Sequence, residues 1–309
     1  MILRALLAGL VFTGASYPAF AAGAAAVTHD STKTTGIEVL DDGLVLVRVS
    51  VNGSGPHRFL LDTGGASTVV SDTLARDLGL MQAGSHRIDT MSGTRTVGLT
   101  RVNELRLGTE TFTGIEVLLM DLANLRARDS RIQGVIGQDL LRTRSFLLDY
   151  EARRLTFDSA GPTNVPADGT RLPLDWSDGR PLVRAVGHHA GRGGAPETTA
   201  ALRFVIDSGG THLILFDHSA PERQPLVKAL RRCAAATMTM RNHGGSSPVM
   251  TATVDRLEFA EGKALRDVVA ALVPMDPEQG RIEDGLLPAS FFRAIYFDNR
   301  ANEVVVRGR

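Results

Sequence analysis

One segment occurs twice in this chain. The first copy is Arg58-Phe59-Leu60-Leu61-Asp62-Thr63-Gly64-Gly65 and the second is Arg203-Phe204-Val205-Ile206-Asp207-Ser208-Gly209-Gly210. In each, an apolar run typical of a buried strand carries an aspartate to its end. A small hydroxyl residue and two glycines follow, which is turn chemistry. Each aspartate is therefore expected where a buried strand breaks into a tight loop, a place where a carboxylate is costly unless paired or hydrogen-bonded. A lone Asp-Thr-Gly would read as an Asx-type turn closing a strand. Two copies with matching flanks, one in each half, call for a joint explanation.

The surroundings of the two copies also repeat in order. Asp42-Gly43 opens a β-branched run over residues 44–51, and Asp178-Gly179 precedes Leu182-Val183-Arg184-Ala185 at the same offset as Asp42-Gly43 before Leu46-Val47-Arg48-Val49. Asn52-Gly53 is a hairpin turn signal leading into the first aspartate strand. Met120-Asp121 is echoed by Met275-Asp276, Gly134-Val135-Ile136 by Gly285-Leu286-Leu287, and residues 146–149 by residues 295–298. This is an internal duplication of about 130 residues rather than a solenoid repeat. Further strands are expected at residues 102–107, 112–120 and 154–157. A hairpin is expected over residues 86–99 with Ser92-Gly93 at its tip, and short helices over residues 71–78 and 226–236. The expected organisation is a leader over 1–21, a flexible lead over 22–35, one lobe over 36–158, a Gly/Pro/Ser-rich linker over 159–170 and a second lobe over 171–309.

With 43% hydrophobic and 22% charged residues the chain is globular, and its 32 glycines with 5% aromatics favour turn-rich β structure over helical bundles. Net charge is zero, so nothing points to nucleic acid. Arg4, the apolar stretch 5–15, Pro18 and Ala19-Phe20-Ala21 form the three-part layout of a secretory signal peptide. The expectation is export, to the periplasm or the medium, with no membrane span after cleavage. Cys233 is the only cysteine, so no internal disulfide can form; it falls in the helix expected over 226–236 and is read as packed there.

If two similar lobes meet about a pseudo-twofold axis, the aspartate loops meet with them. At ~4 Å and an effective dielectric of ~20, two carboxylates repel by about 4 kcal/mol, equivalent to roughly three pK units. Such a pair holds one proton in the mild acid range and offers a base and an acid at once: the ionised member deprotonates water, the protonated member donates to a carbonyl oxygen. Thr63 and Ser208 are placed to donate across to the opposite loop's backbone, and Gly64 and Gly209 let backbone N–H groups approach the carboxylates. The hairpin tip at Met91, Ser92 and Gly93, with its echo at Gly244 and Gly245, is a candidate flap closing over an extended peptide.

These residues resemble the aspartic peptidases of the pepsin and retropepsin clan. The matching elements are residues 59–64, residues 204–209 and Val135-Ile136-Gly137, and the resemblance spans both halves from about residue 36 onward. It is closest to bacterial exported retropepsin-like proteins, here as a tandem pair. It implies an all-β, bilobal pepsin-like fold built from two duplicated retropepsin-like lobes with the active-site cleft between them. It also implies a catalytic dyad of Asp62 and Asp207, and a hydroxyl lock of Thr63 and Ser208. A monomeric aspartic endopeptidase acting on peptide or protein, without cofactor or metal, is the activity implied. Three features depart from the pattern. Gly65 and Gly210 stand where pepsins carry a hydroxyl, no aromatic marks the flap, and Leu286-Leu287-Pro288 replaces a glycine-bearing element, which puts the second lobe's supporting loop in question because proline lacks an N–H.

Three other classes compete with this reading. The same cleft could bind a peptide or partner without cutting it, although a binding groove requires neither aspartate nor hydroxyl. A metal hydrolase would have to use His188, His189, His212, His218 and His243, which lack helical H-E-x-x-H spacing and read as loop or surface histidines. No G-x-S-x-G marks a serine hydrolase.

Overall fold

The computed structural model describes residues 33–90, 93–158, 161–162, 164–191, 196–217, 224–234, 236–242, 245–275 and 281–308. The leader expected over 1–21, most of the lead, His218, His243, Asp276 and the flap candidates Met91, Ser92 and Gly244 lie outside these residues. The chain is all-β, and among the described residues it has twenty-two strands and a few short helices.

The first half contains β1 (Lys33–Gly36), β2 (Glu38–Val39), β3 (Val45–Val51), β4 (Ser54–Leu61), β5 (Val69–Ser71), β6 (Gly84–Thr90), β7 (Gly93–Leu107), β8 (Glu110–Met120), β9 (Ile132–Ile136), β10 (Phe146–Asp149) and β11 (Arg154–Phe157). Helices α1 (Asp72–Asp77), α2 (Ala123–Arg126) and α3 (Gln138–Leu141) interrupt them. The second half contains β12 (Thr170–Pro173), β13 (Asp175–Ser177), β14 (Arg180–His189), β15 (Thr198–Asp207), β16 (Leu213–Asp217), β17 (Ala236–Asn242), β18 (Gly245–Ala260), β19 (Lys263–Pro274), β20 (Gly285–Pro288), β21 (Ala294–Asp298) and β22 (Glu303–Arg307), with α4 (Gln224–Arg232) as its helix.

Eleven strands per half assemble identically. The first lobe's eight-stranded sheet has the order β2-β3-β4-β9-β5-β8-β7-β6, and the second lobe's has β13-β14-β15-β20-β16-β19-β18-β17. An added β3–β7 pairing in one lobe and β14–β18 in the other closes six strands of each sheet into a ring. In both, the strand that carries the aspartate runs parallel to a later strand threaded beside it: Leu61 lies opposite Ile136, and Asp207 opposite Pro288.

The third sheet joins the lobes. Its order, β1-β11-β10-β21-β22-β12, places one half's strands against the other's, with β10 and β21 antiparallel at the centre. Phe146 of β10 stacks on Phe297 of β21 at a centroid separation of 4.7 Å. A single apolar cluster runs from Val47, Phe59 and Leu61 through Phe146 and Phe297 to Phe204 and Ile206, so the two aspartate strands share one core.

Local chemistry accounts for the element boundaries. Asn52 and Gly53 both take positive φ (49° and 79°), as do Asp178 and Gly179 (50° and 77°), the backbone of a two-residue hairpin turn that twists with its strands. Ser71 caps α1 by accepting from the Leu74 N–H at 3.1 Å, and Gly79 follows at φ 63°. Four expectations are corrected. Residues 33–35 are not flexible lead but part of β1, paired in register with β11. The hairpin's return strand and the strand expected at 102–107 are one strand, β7. His188 and His189 lie in β14 rather than in a loop. Helix α4 ends at Arg232, so Cys233 sits beyond it, half-buried.

Candidate active site

Strands β4 and β15 end at the two aspartates, and their loops meet between the lobes. Asp62 and Asp207 are both fully buried, as are Thr63 and Ser208. The hydroxyl residues interlock reciprocally. Thr63 Oγ1 donates to the Ile206 carbonyl at 2.7 Å and accepts from the Ser208 N–H at 3.0 Å. Ser208 Oγ donates to the Leu61 carbonyl at 2.7 Å and accepts from the Thr63 N–H at 3.0 Å. Four buried bonds thus fix the separation and orientation of the loops that carry the carboxyls.

Each carboxyl is held from behind by its own loop. Gly64 N–H donates to Asp62 Oδ1 at 3.0 Å and Gly209 N–H to Asp207 Oδ1 at 2.7 Å. The approach requires glycine: a Cβ on Gly64 would lie 2.7 Å from Asp207 Cγ, and one on Gly210 would lie 2.7 Å from Asp207 Oδ2. Among the described residues no hydroxyl reaches the outer oxygens, and Oδ2 of each aspartate is buried with no partner outside the pair. The two carboxyls lie close together, since the residue two past Asp62 packs directly on Asp207, and each shifts the other's ionisation; a singly protonated pair can share a hydrogen bond that two acceptor-only carboxylates cannot make. Burial raises the pKa of Asp62 well above the usual carboxylate range, and the charge of Asp207 and the bond to it raise it further. Burial also raises Asp207, against the pull of the bond to Asp62, the Gly209 and Gly210 N–H groups and the Arg180 guanidinium. One shared proton is the stable state of such a site.

The first loop rests on the start of α3. The Gln138 and Asp139 N–H groups donate to the Gly65 and Ala66 carbonyls at 2.8 and 3.1 Å, and the buried Gln138 side chain donates to the Thr63 carbonyl at 2.8 Å. Gln138 escaped the sequence reading, although it directly follows the Ile136-Gly137 element. Thr68 completes the support, donating to Asp139 Oδ1 at 2.7 Å and accepting from the Gly137 N–H at 3.2 Å. In the second lobe Pro288 stands at the Gly137 position and Leu213 at the Thr68 position. Donor and acceptor are removed together, so the missing proline N–H leaves no acceptor stranded. The concern raised by Pro288 is thereby corrected: β20 runs up to it, pairing it with Asp207, and Gly209 still holds Asp207.

Of the flap candidates, Gly93 and Gly245 open strands β7 and β18 opposite Thr90 and Asn242. Among the described residues no group of three or more His, Cys, Asp or Glu side chains could hold a metal ion. His188 contacts Glu197 at 2.9 Å, His189 lies 2.9 Å from Asp255, and His212 bonds Thr211 at 2.8 Å. Among the described residues no helix is long and apolar enough to cross a membrane.

Two barrel-like lobes of one topology, with an aspartate from each meeting at a shared core, define the architecture of the aspartic protease-like, pepsin-type folds. Residues 47–140 match the model of the aspartyl protease family, a segment of the first lobe that includes Asp62, the Thr68 support and Gln138. No curated protein matches the chain.

Proposed function

We propose that this chain is an aspartic endopeptidase that hydrolyses peptide bonds by direct attack of water activated between Asp62 and Asp207. The observation that carries the reading is the pair itself: two buried carboxyls at the ends of equivalent strands, locked by Thr63 and Ser208 and held close enough to share a proton. The ionised member takes a proton from water as the water attacks the amide carbon. The protonated member donates to the carbonyl oxygen, giving a neutral diol. The pair then gives a proton to the nitrogen while a diol hydroxyl gives its proton to the pair, so that the C–N bond breaks, an acid and an amine are released and one proton remains on the pair. The substrate class is peptide or protein, the chain acts as a monomer, and residues 1–21 direct its export. The match to the aspartyl protease family over residues 47–140 supports the coarse assignment.

The test is a peptide-library digest between pH 3 and 8, with and without a statine-type mimic of the diol. Cleavage that the mimic blocks and that vanishes in Asp62→Asn and Asp207→Asn is the expected result. Persistent cleavage in the double variant would remove the dyad from the mechanism. One observation favours a second reading, binding without turnover: both aspartates are 0% exposed, so a substrate reaches them only if their cover moves. Peptide binding without products across that pH range would select it.

A further inference from the structure

The two lobes share a topology, but the partner that each aspartate meets across its sheet differs. Leu46 lies opposite Leu60 in the β3–β4 ladder, so extending the register by two residues sets Leu44 opposite Asp62. Leu182 lies opposite Val205 in the β14–β15 ladder, and the same extension sets Arg180 opposite Asp207. Both Leu44 and Arg180 are fully buried. A second position changes in step. Two residues before the equivalent glycines Gly134 and Gly285 stand Ile132 and Glu283, again fully buried. In the first lobe Leu44 and Ile132 belong to one apolar cluster; in the second, Arg180 Nη1 donates to Glu283 Oε1 at 2.9 Å. An apolar pair in one lobe is replaced by an ion pair in the other.

We propose that Arg180 is a positioning residue that breaks the near-twofold symmetry of the aspartate pair, so that Asp207 carries the negative charge and Asp62 keeps the shared proton. The inference rests on the aspartic peptidase reading and assigns its roles: Asp207 activates the water and Asp62 donates to the carbonyl oxygen. A buried guanidinium is retained here only because something holds it, and Glu283 does so while also accepting from Arg281 at 2.8 Å. Arg180 Nη2 lies 3.7 Å from Asp178, while Nε has no hydrogen-bond partner. Within the buried cluster one carboxylate is shared by two guanidiniums, and Asp178 is 46% exposed so that solvent screens it; the cluster is left with positive charge to exert on its cross-strand neighbour. Of the other charged groups around the loops, Arg128 is paired with Asp42, and Asp139 is taken up by Thr68. His212 is biased toward its neutral form by burial and by Arg128. The field at the two carboxyls is accordingly one-sided: Arg180 opposes the effect of burial at Asp207, where Asp62 faces Leu44.

The experiment follows each carboxyl separately. The full chain, labelled with carbon-13 at the aspartate carboxyl carbon, is titrated by NMR, with the two signals assigned through Asp62→Asn and Asp207→Asn. In the unmodified protein the Asp207 signal is expected to move first as pH rises and the Asp62 signal later. In Arg180→Leu/Glu283→Ile, which installs the first lobe's own pair, the separation should shrink by about one pH unit, and Arg180→Lys should restore most of it. The acid limb of kcat/KM should move upward by a similar amount in the double variant. Asp62 ionising first in the unmodified protein overturns the proposal whether or not the variants fold. So does an unchanged separation in a folded double variant, or in Arg180→Met, where Arg281 still neutralises Glu283. Because the titration needs no turnover, absence of peptide cleavage with the Asp207-first order intact would sink the peptidase reading and leave this one standing.

Discussion

At the scale of single residues, the pair of aspartates is a liability that the fold accepts. A carboxyl whose pKa is raised by folding binds more protons in the folded chain than in the unfolded one, so stability falls as pH climbs from the ordinary carboxylate value through the raised one, and stays low above it. Asp62 is raised by burial first and by Asp207 second, and replacing it with Asn removes both effects. Asp62→Asn is therefore expected to abolish hydrolysis and yet stabilise the protein by about 1–3 kcal/mol at pH 7. It should do little at pH 3, where the native pair is already protonated. Urea unfolding at the two pH values checks this; an equal effect at both would contradict the coupling. The hydroxyl lock carries the opposite sign. Thr63→Ala strands the Ile206 carbonyl and the Ser208 N–H in a dry interface, which costs about 2 kcal/mol or more. Thr63→Ser keeps both bonds and should lie near the native protein in the same denaturation series.

At the scale of elements, the supports of the two aspartate loops show what the sequence could and could not convey. The strands ending at Asp62 and Asp207 were legible because their apolar runs and glycine turns are local signals, and the repetition of those signals conveyed that the lobes share a topology. Pro288 misled because it was judged against one lobe's glycine in isolation. Its compensation lies at Leu213, far away in the chain, where Thr68 had supplied the acceptor for Gly137. β1 was illegible because Lys33-Thr34-Thr35-Gly36 has neither alternation nor an apolar run, and pairing with β11 alone makes it a strand. Gln138 and Arg180 were missed for a related reason: each acts on a residue distant in the chain, Gln138 from α3 on the Thr63 carbonyl and Arg180 across a strand pair, and position in a repeat shows this only when the two copies are compared residue by residue. Two substitutions separate the supports. Gly137→Ala places a Cβ 2.5 Å from the Ser67 carbonyl carbon, a backbone contact that cannot yield, and should destabilise by about 2–3 kcal/mol. Pro288→Gly breaks no hydrogen bond, but it puts a new N–H at a buried position where Leu213 offers no acceptor, and should cost about 1–3 kcal/mol. Thermal melts of the two variants decide the matter, and a Pro288→Gly protein as stable as the native one would mean that the second loop does not depend on the paired loss of donor and acceptor.

At the scale of the whole molecule, the question is whether two lobes of one topology behave as two bodies. Three observations say they unfold as one. The sheet β1-β11-β10-β21-β22-β12 takes its strands from both halves and its central pairing, β10–β21, crosses between them. The Thr63 and Ser208 bonds cross at the site, and one apolar cluster spans both lobes. A lobe separated from its partner would expose the edge of β10 or β21 together with Phe146 or Phe297, both almost fully buried in the whole chain. The expected outcome is a single denaturation transition, seen at one midpoint by far-ultraviolet circular dichroism and by Trp176 fluorescence, which reports from the second lobe. Phe146→Ala tests the same coupling from the first half. It removes the stacking partner of Phe297, should cost about 3–5 kcal/mol, and should lower the midpoint reported by Trp176 as much as the midpoint of the whole. Two separate transitions, with the Trp176 signal indifferent to Phe146, would mean that the lobes are held by contact rather than by a common core. The alignment of the two carboxyls would then depend on the four bonds of the hydroxyl lock alone.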